Sequence, residues 1–256
     1  MIVLFRKSEI WFALVWIIVY CVLSSIGDNL SDSIGVEKIV TLPILVILSV
    51  ILFLFVKKNK LLKYYGLCKP EVSASKMLFY LPIIALLTVN LWYGIYIHLS
   101  WLEVVLYICS MLFVGFLEEM LFRGLLFCAM AKSGVKSAII VSSVTFGIGH
   151  IMNFINGSGA ELFPNLLQVL YAMTIGFMFV MVYYKTKSLL PCILTHGVFN
   201  ALSVFANDVD NTFQRRIISA LFLVVVSGGY ALYITFRIKK SKMIQSNTVD
   251  TYGVVH

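Results

Sequence analysis

Three short stretches of this chain carry ionisable side chains in apolar surroundings, each with a partner four residues away. They are EEMLFR at 118–123, FGIGH at 146–150 and HGVFN at 196–200. Residues four apart lie on one helix face. Glu119 therefore shares a face with Arg123, Phe146 with His150, and His196 with Asn200. Glu118 is turned about 100° from Glu119, since a helix has 3.6 residues per turn. A Glu119–Arg123 pair neutralises itself and leaves Glu118 as an excess carboxylate that needs a donor or a cation. A charge inside a bilayer costs at least about 2.5–3.5 kcal/mol, so its presence points to a function. A carboxylate that takes a proton from water, with imidazole and amide groups placed to stabilise an oxyanion, is a hydrolytic layout. The alternative wiring is a divalent metal such as zinc held by His150, His196 and Glu118, with Glu as base. No H-E-x-x-H occurs and the histidines come from different stretches. Spacing alone therefore establishes no metal site, and Glu118 with two histidines can activate water unaided.

These groups need apolar helices to carry them, and the chain is made of little else. It is 61% hydrophobic and 12% charged, with a mean hydropathy of +0.96. A soluble domain has about 25% charged residues, so the reading is an all-α, polytopic membrane protein of the cell membrane. At about 20 apolar residues per crossing, eight spans are predicted near 10–26, 39–56, 77–97, 102–130, 136–152, 164–184, 189–206 and 217–236. The fifth and seventh are the most polar. The first run follows Arg6 and Lys7 but is long for a signal peptide and lacks an A-x-A site, so it reads as an uncleaved span. With a cytoplasmic N-terminus, sixteen basic residues fall in inside segments and three (Lys38, Arg215 and Arg216) fall outside. That asymmetry predicts eight spans with both termini cytoplasmic. One transmembrane domain is expected over 1–240, with a polar, disordered tail at 241–256. The loop from Lys57 to Lys76 is long enough for an amphipathic surface segment.

The net charge of +8 sits in those short loops, as membrane orientation requires, and argues against a nucleic-acid partner. The five cysteines are scattered, odd in number and without a C-x-x-C, so they read as small buried residues.

Depth brings the three stretches together. At 1.5 Å per residue, Glu118 lies about 21 Å from Lys132, His150 about 21 Å from Lys136, and Asn200 about 20 Å from Lys187, with His196 about a turn nearer the cytoplasm. Three helices of alternating direction thus carry Glu118, His150 and Asn200 to one level. Ser143 and Gly147, and Thr145 and Gly149, form small-xxx-small pairs that let the fifth span approach its neighbours. Each group also has a structural reading. Glu119–Arg123 can be a helix lock, the histidines can bond to backbone carbonyls, Asn200 can be interhelical glue, and Phe146 reads as packing. Asn90 and Gln168 read as interhelical hydrogen bonds. A proton or ion transporter would use similar groups, but no inverted repeat or broken-helix pair is evident.

EEMLFR resembles the EExxxR motif of the CPBP family of intramembrane proteases, which includes type II CAAX prenyl endopeptidases and bacterial bacteriocin-processing and self-immunity proteins. FGIGH resembles its FxxxH motif and HGVFN its HxxxN motif, in family order, so the resemblance covers about 104–205, within a protease core of about 102–206. The resemblance implies an eight-helix core whose site opens toward the cytoplasm. It implies that Glu118 is the general base, that His150 is its partner and that His196 and Asn200 stabilise the oxyanion. Glu119, Arg123 and Phe146 would support them. The implied activity is endopeptidase cleavage near the cytoplasmic leaflet of a hydrophobic peptide or membrane protein embedded in the lipid bilayer. The alternative is a non-catalytic membrane scaffold or self-immunity protein.

Overall fold

The computed structural model describes residues 1–77, 80–155, 161–207 and 212–237. The predicted tail at 241–256 lies outside the described residues. The described residues are helical throughout, apart from turns and one isolated antiparallel bridge, Ile95 to Ala206. In chain order the helices are α1 (Ile2–Lys7), α2 (Glu9–Ile34), α3 (Thr41–Lys58), α4 (Ala74–Met77) and α5 (Tyr80–Thr88). Then come α6 (Trp101–Glu119), a π-helical stretch (Met120–Phe127), α7 (Cys128–Ala131), α8 (Val135–Gly149) and α9 (Met152–Ile155). Helices α10 (Leu162–Thr186), α11 (Leu190–Leu202) and α12 (Phe213–Arg237) complete the bundle.

Local chemistry sets several of these limits. Ser8 caps α2 by accepting from the Trp11 amide, and Gly35, at a left-handed φ of 77°, ends it. Ser100 and Glu103 form a reciprocal capping box at the start of α6. Pro191 occupies the first turn of α11, where its missing N–H costs nothing.

Among the described residues six helices are long and apolar enough to cross a membrane. They match the first, second, fourth, fifth, sixth and eighth predicted spans. Two shorter apolar helices, Leu81–Leu91 and Leu190–Phe205, stand at the third and seventh. The third span, expected to run to 97, stops being helical at Leu91. Gly94 turns the chain at a left-handed φ of 96°, and the Tyr96 amide donates to the Phe205 carbonyl at 3.1 Å. The two short helices lean on each other, with Asn90 Nδ2 donating to the Phe199 carbonyl at 2.7 Å. This is the interhelical role expected of Asn90.

The amphipathic segment expected between Lys57 and Lys76 is a chain of turns rather than a helix over 60–66. Leu61 and Tyr65 are buried while Lys63 stays exposed. Left-handed Lys60 and Gly66 interrupt helix formation on either side. The segment is instead held across the end of α10, by the Leu189 amide on the Gly66 carbonyl and the Glu71 amide on the Thr186 carbonyl, each at 2.8 Å.

The crossing of α6 with α11 positions the histidine and carboxylates. A Cβ at Gly115 would lie 2.5 Å from the Gly197 nitrogen and 2.7 Å from its Cα. Two glycine backbones therefore touch one turn from Glu118 and Glu119 and beside His196. On α8, Gly147 plays the same part against α10, where a Cβ would lie 2.9 Å from the Val169 carbonyl oxygen. Gly149 meets only Phe122, at 3.8 Å. Of the two small-residue pairs on the fifth span, the Ser143–Gly147 pair makes the close approach. Overpacking a close crossing costs about 1–3 kcal/mol. A Gly115→Ala variant is therefore expected to melt several degrees lower in detergent, while the same change at Gly228, where a Cβ meets nothing within 4 Å, is tolerated.

Candidate active site

Glu119 and Arg123 are both fully buried, and Arg123 Nη1 donates to Glu119 Oε1 at 3.0 Å. The guanidinium carbon also stands 4.0 Å from the Phe146 ring centroid and 5.6 Å from that of Phe179. A planar cation on an aromatic face is stabilised by the ring's negative face. Phe146 is therefore more than packing. It forms one wall of the guanidinium's socket and packs edge-on against the rings of His150 and His196, with centroids 5.0 and 5.6 Å away.

The pair lies at the start of the π-helical stretch, Met120–Phe127. A widened helix of this kind is frequent at functional sites. Two side chains support it from outside the motif. Ser142 Oγ donates to the Phe122 carbonyl at 2.8 Å, and Cys128 Sγ reaches the Arg123 carbonyl at 3.6 Å.

Glu118 points away from the pair. Its Oε1 accepts from the Tyr20 hydroxyl of α2 at 2.7 Å, and its Oε2 lies 3.5 Å from His196 Nε2. The other nitrogen of the same imidazole, Nδ1, is 2.8 Å from Glu119 Oε1. A carboxylate accepts, so Nδ1 carries the hydrogen and Nε2 faces Glu118. His196 thus stands between the two adjacent glutamates, hydrogen-bonded to Glu119, while the buried Glu118 Oε2 has no hydrogen-bond partner.

His150 is the residue at which α8 ends. Its Nδ1 lies 3.0 Å from the Phe146 carbonyl. A carbonyl can only accept, so Nδ1 is the protonated nitrogen of the neutral ring and Nε2 keeps its lone pair. The His150 carbonyl, freed by the helix end, accepts from Asn165 Nδ2 at 2.9 Å. Gln168 Oε1 accepts from Asn153 and Asn165, at 3.1 and 3.4 Å. Gln168 is therefore an interhelical link, as expected, and it forms an amide cluster around the break after His150.

A cavity of about 930 Å³ gathers Tyr20, Glu118, His150 and Asn200 on one wall system. His196 does not line it but lines a small second space of about 50 Å³ together with Phe146, His150 and Asn200. The structure thus brings Glu118, His150 and Asn200 to one space, with His196 on the second. Two members were not found in the sequence. Tyr20 sits in an apolar run among other aromatics, with no spacing signal to mark it. Asn165 stands beside Pro164 at the start of a span and reads there as an interfacial residue.

The cavity occupies one half of the bundle. Its lining on α2 runs from Tyr20 to Asp28, on α10 from Pro164 to Tyr171 and on α12 from Arg216 to Leu223. None of the basic loops at 57–76, 131–136 and 185–189 reaches it. The start of α2 belongs to the opposite end, where Lys132 Nζ donates to Glu9 Oε1 at 2.6 Å. The resemblance implies a site opening on the cytoplasmic side, and the loop charges imply cytoplasmic termini. For this cavity the two expectations conflict, because its mouth lies at the end away from the N-terminus and the basic loops.

The donor set does not fit a metal ion. Among the described residues no three His, Cys, Asp or Glu side chains converge as a ligand group. His196 also has both nitrogens directed at carboxylates. No step below passes through a metal.

Residues 100–202 match the family model described as type II CAAX prenyl endopeptidase Rce1-like. That span contains all three motifs. No curated protein and no solved structure matches the chain.

Proposed function

Residues 100–202 form a CPBP-family core of the Rce1-like kind, and on that premise we propose that this multi-pass membrane protein is an intramembrane endopeptidase with Glu118 as its general base. The observation that carries the proposal is the placement of Glu118. It lines the large cavity, with the Tyr20 hydroxyl donating to its Oε1 and His196 3.5 Å from its Oε2, and His150 and Asn200 line the same space.

Glu118 takes a proton from water as the water oxygen bonds to the scissile carbonyl carbon. The carbonyl oxygen gains the negative charge, and the Asn200 amide is the donor for it. His150 Nε2, unprotonated in the neutral ring, receives a hydrogen bond from the water and fixes its approach. Glu118 then returns the proton to the departing nitrogen as the C–N bond breaks. His196 stands beside Glu118 and is fixed there by its hydrogen bond to Glu119, which is in turn tied to Arg123. The substrate is a hydrophobic or membrane-associated peptide whose scissile bond reaches the level of Glu118, and the eight helical segments form one transmembrane domain around it.

The test is cleavage of candidate membrane peptides by purified protein in proteoliposomes, with and without a chelator. Cleavage is expected to change by less than about twofold with EDTA, because the base is activated by side chains alone. A loss restored by added zinc would transfer the mechanism to a metal.

Tyr20 is a positioning residue in this scheme. A hydrogen bond to a charged group is worth about 1.5–3 kcal/mol. Tyr20→Phe is therefore expected to lower kcat by roughly 10- to 100-fold with KM nearly unchanged. A change confined to KM would show that Tyr20 binds substrate instead.

A further inference from the structure

The mouth of the Glu118 cavity lies among the loop ends that carry few positive charges. Its rim includes the Lys38–Asp28 ion pair at 2.8 Å and the Arg216–Glu161 pair at 3.4 Å. Lys38 and Arg216 are two of the three basic residues that the loop count assigns to that side, and the third, Arg215, adjoins Arg216. The opposite end holds Lys57, Lys58, Lys60, Lys63, Lys132 and Lys136, among others. Short loops rich in Lys and Arg stay in the cytoplasm. Basic loops and cavity mouth lie at opposite ends of the same helices, so retention of the loops directs the mouth outward.

The walls carry polar side chains below the rim, among apolar ones. Ser24, Asn90, Asn165, Gln168, Asn200 and Ser219 line the space between the mouth and the catalytic level. Asn165 is 2% exposed, and its Oδ1 is buried with no hydrogen-bond partner. A helix must unwind before one of its peptide bonds can be cut, and unwound backbone inside a membrane needs polar partners. This lining supplies them.

We propose that the Glu118 cavity is entered from the extracytoplasmic side and takes the outward-facing end of a membrane peptide as an unwound strand. The peptide part of this proposal rests on the protease reading above, while the sidedness stands on the cavity and the loop charges alone.

The experiment is side-specific labelling of the full chain in sealed spheroplasts and in inverted vesicles, using a charged, membrane-impermeant maleimide. Native Cys21 lines the cavity, so the unaltered chain already reports on it, with Cys21→Ala as its blank. On a background with Cys21 and Cys68 replaced by Ala, Glu161→Cys reports the rim, Ser219→Cys the wall and Lys63→Cys the basic face. The expected result is labelling of Cys21, Glu161→Cys and Ser219→Cys at least tenfold faster in spheroplasts, with Lys63→Cys reversed. Faster labelling of the cavity positions in inverted vesicles overturns the proposal. So does a rim that labels outside while Cys21 and Ser219→Cys label only from within. A second arm follows a membrane peptide tagged at its outward end, whose cut fragment is expected in the spheroplast medium; recovery inside overturns the substrate half. Labelling needs no substrate, so an inactive chain would sink the protease reading and leave the sidedness standing.

Discussion

Glu118→Gln is expected to lower kcat for peptide cleavage by about 10³-fold or more, since general-base catalysis contributes roughly 10²–10⁴-fold. The substitution keeps the side chain's shape. The Tyr20 hydroxyl can still donate to the amide oxygen that replaces Glu118 Oε1, and the amide nitrogen stands where Oε2 approaches His196 Nε2. The fold should therefore survive, and so should substrate affinity. What is lost is the lone pair that accepts the water proton. kcat and kcat/KM should fall together, the signature of an interaction made in the transition state. Single-turnover cleavage in proteoliposomes, beside a melting curve on the same preparation, separates this outcome from unfolding.

Arg123→Ala is expected to be the most destabilising single substitution in the motif region. Arg123 and Glu119 are both fully buried, and removing one partner leaves the other charge unpaired. Breaking a buried pair in this way costs about 3–5 kcal/mol. The loss extends beyond the pair, because the guanidinium also fills the socket between Phe146 and Phe179, and Gly176 is so close that a Cβ there would lie 3.3 Å from Arg123 Nη2. Arg123→Lys keeps the charge but loses the planar face, so it should fall between wild type and Ala. Removing both charges with Glu119→Leu and Arg123→Leu together is expected to recover part of the loss. Thermal unfolding in detergent measures all three variants. A double variant no better than Arg123→Ala would show that the socket, rather than the unpaired charge, dominates.

The motif geometry was legible in the sequence because it rests on helix periodicity. The spacing of 119 and 123 places two side chains on one face whether or not the surrounding helix is ideal, and the ion pair forms although it adjoins a π-helical stretch. The π stretch itself was not legible. It depends on support from Ser142, which lies nineteen positions beyond Arg123 on another helix. The placement of His196 between Glu118 and Glu119 was also hidden, since it needs the backbone contact of Gly115 with Gly197. Hydropathy placed the long helices but overran the third, where Gly94 and the Ile95–Ala206 bridge replace a helical end. Cavity sidedness lies in no single stretch, because it follows from which halves of α2, α10 and α12 face inward.

In the proposed mechanism two adjacent carboxylates do different work, Glu118 in the chemistry and Glu119 in the framework. The most direct test of that division is the cleavage rate per folded molecule for Glu118→Gln and Glu119→Gln, measured side by side in proteoliposomes with wild type. The account predicts that Glu118→Gln stays folded and cuts about 10³-fold more slowly, while Glu119→Gln loses folded protein and the surviving fraction keeps substantial activity. A folded Glu118→Gln protein that cuts as fast as wild type would contradict it.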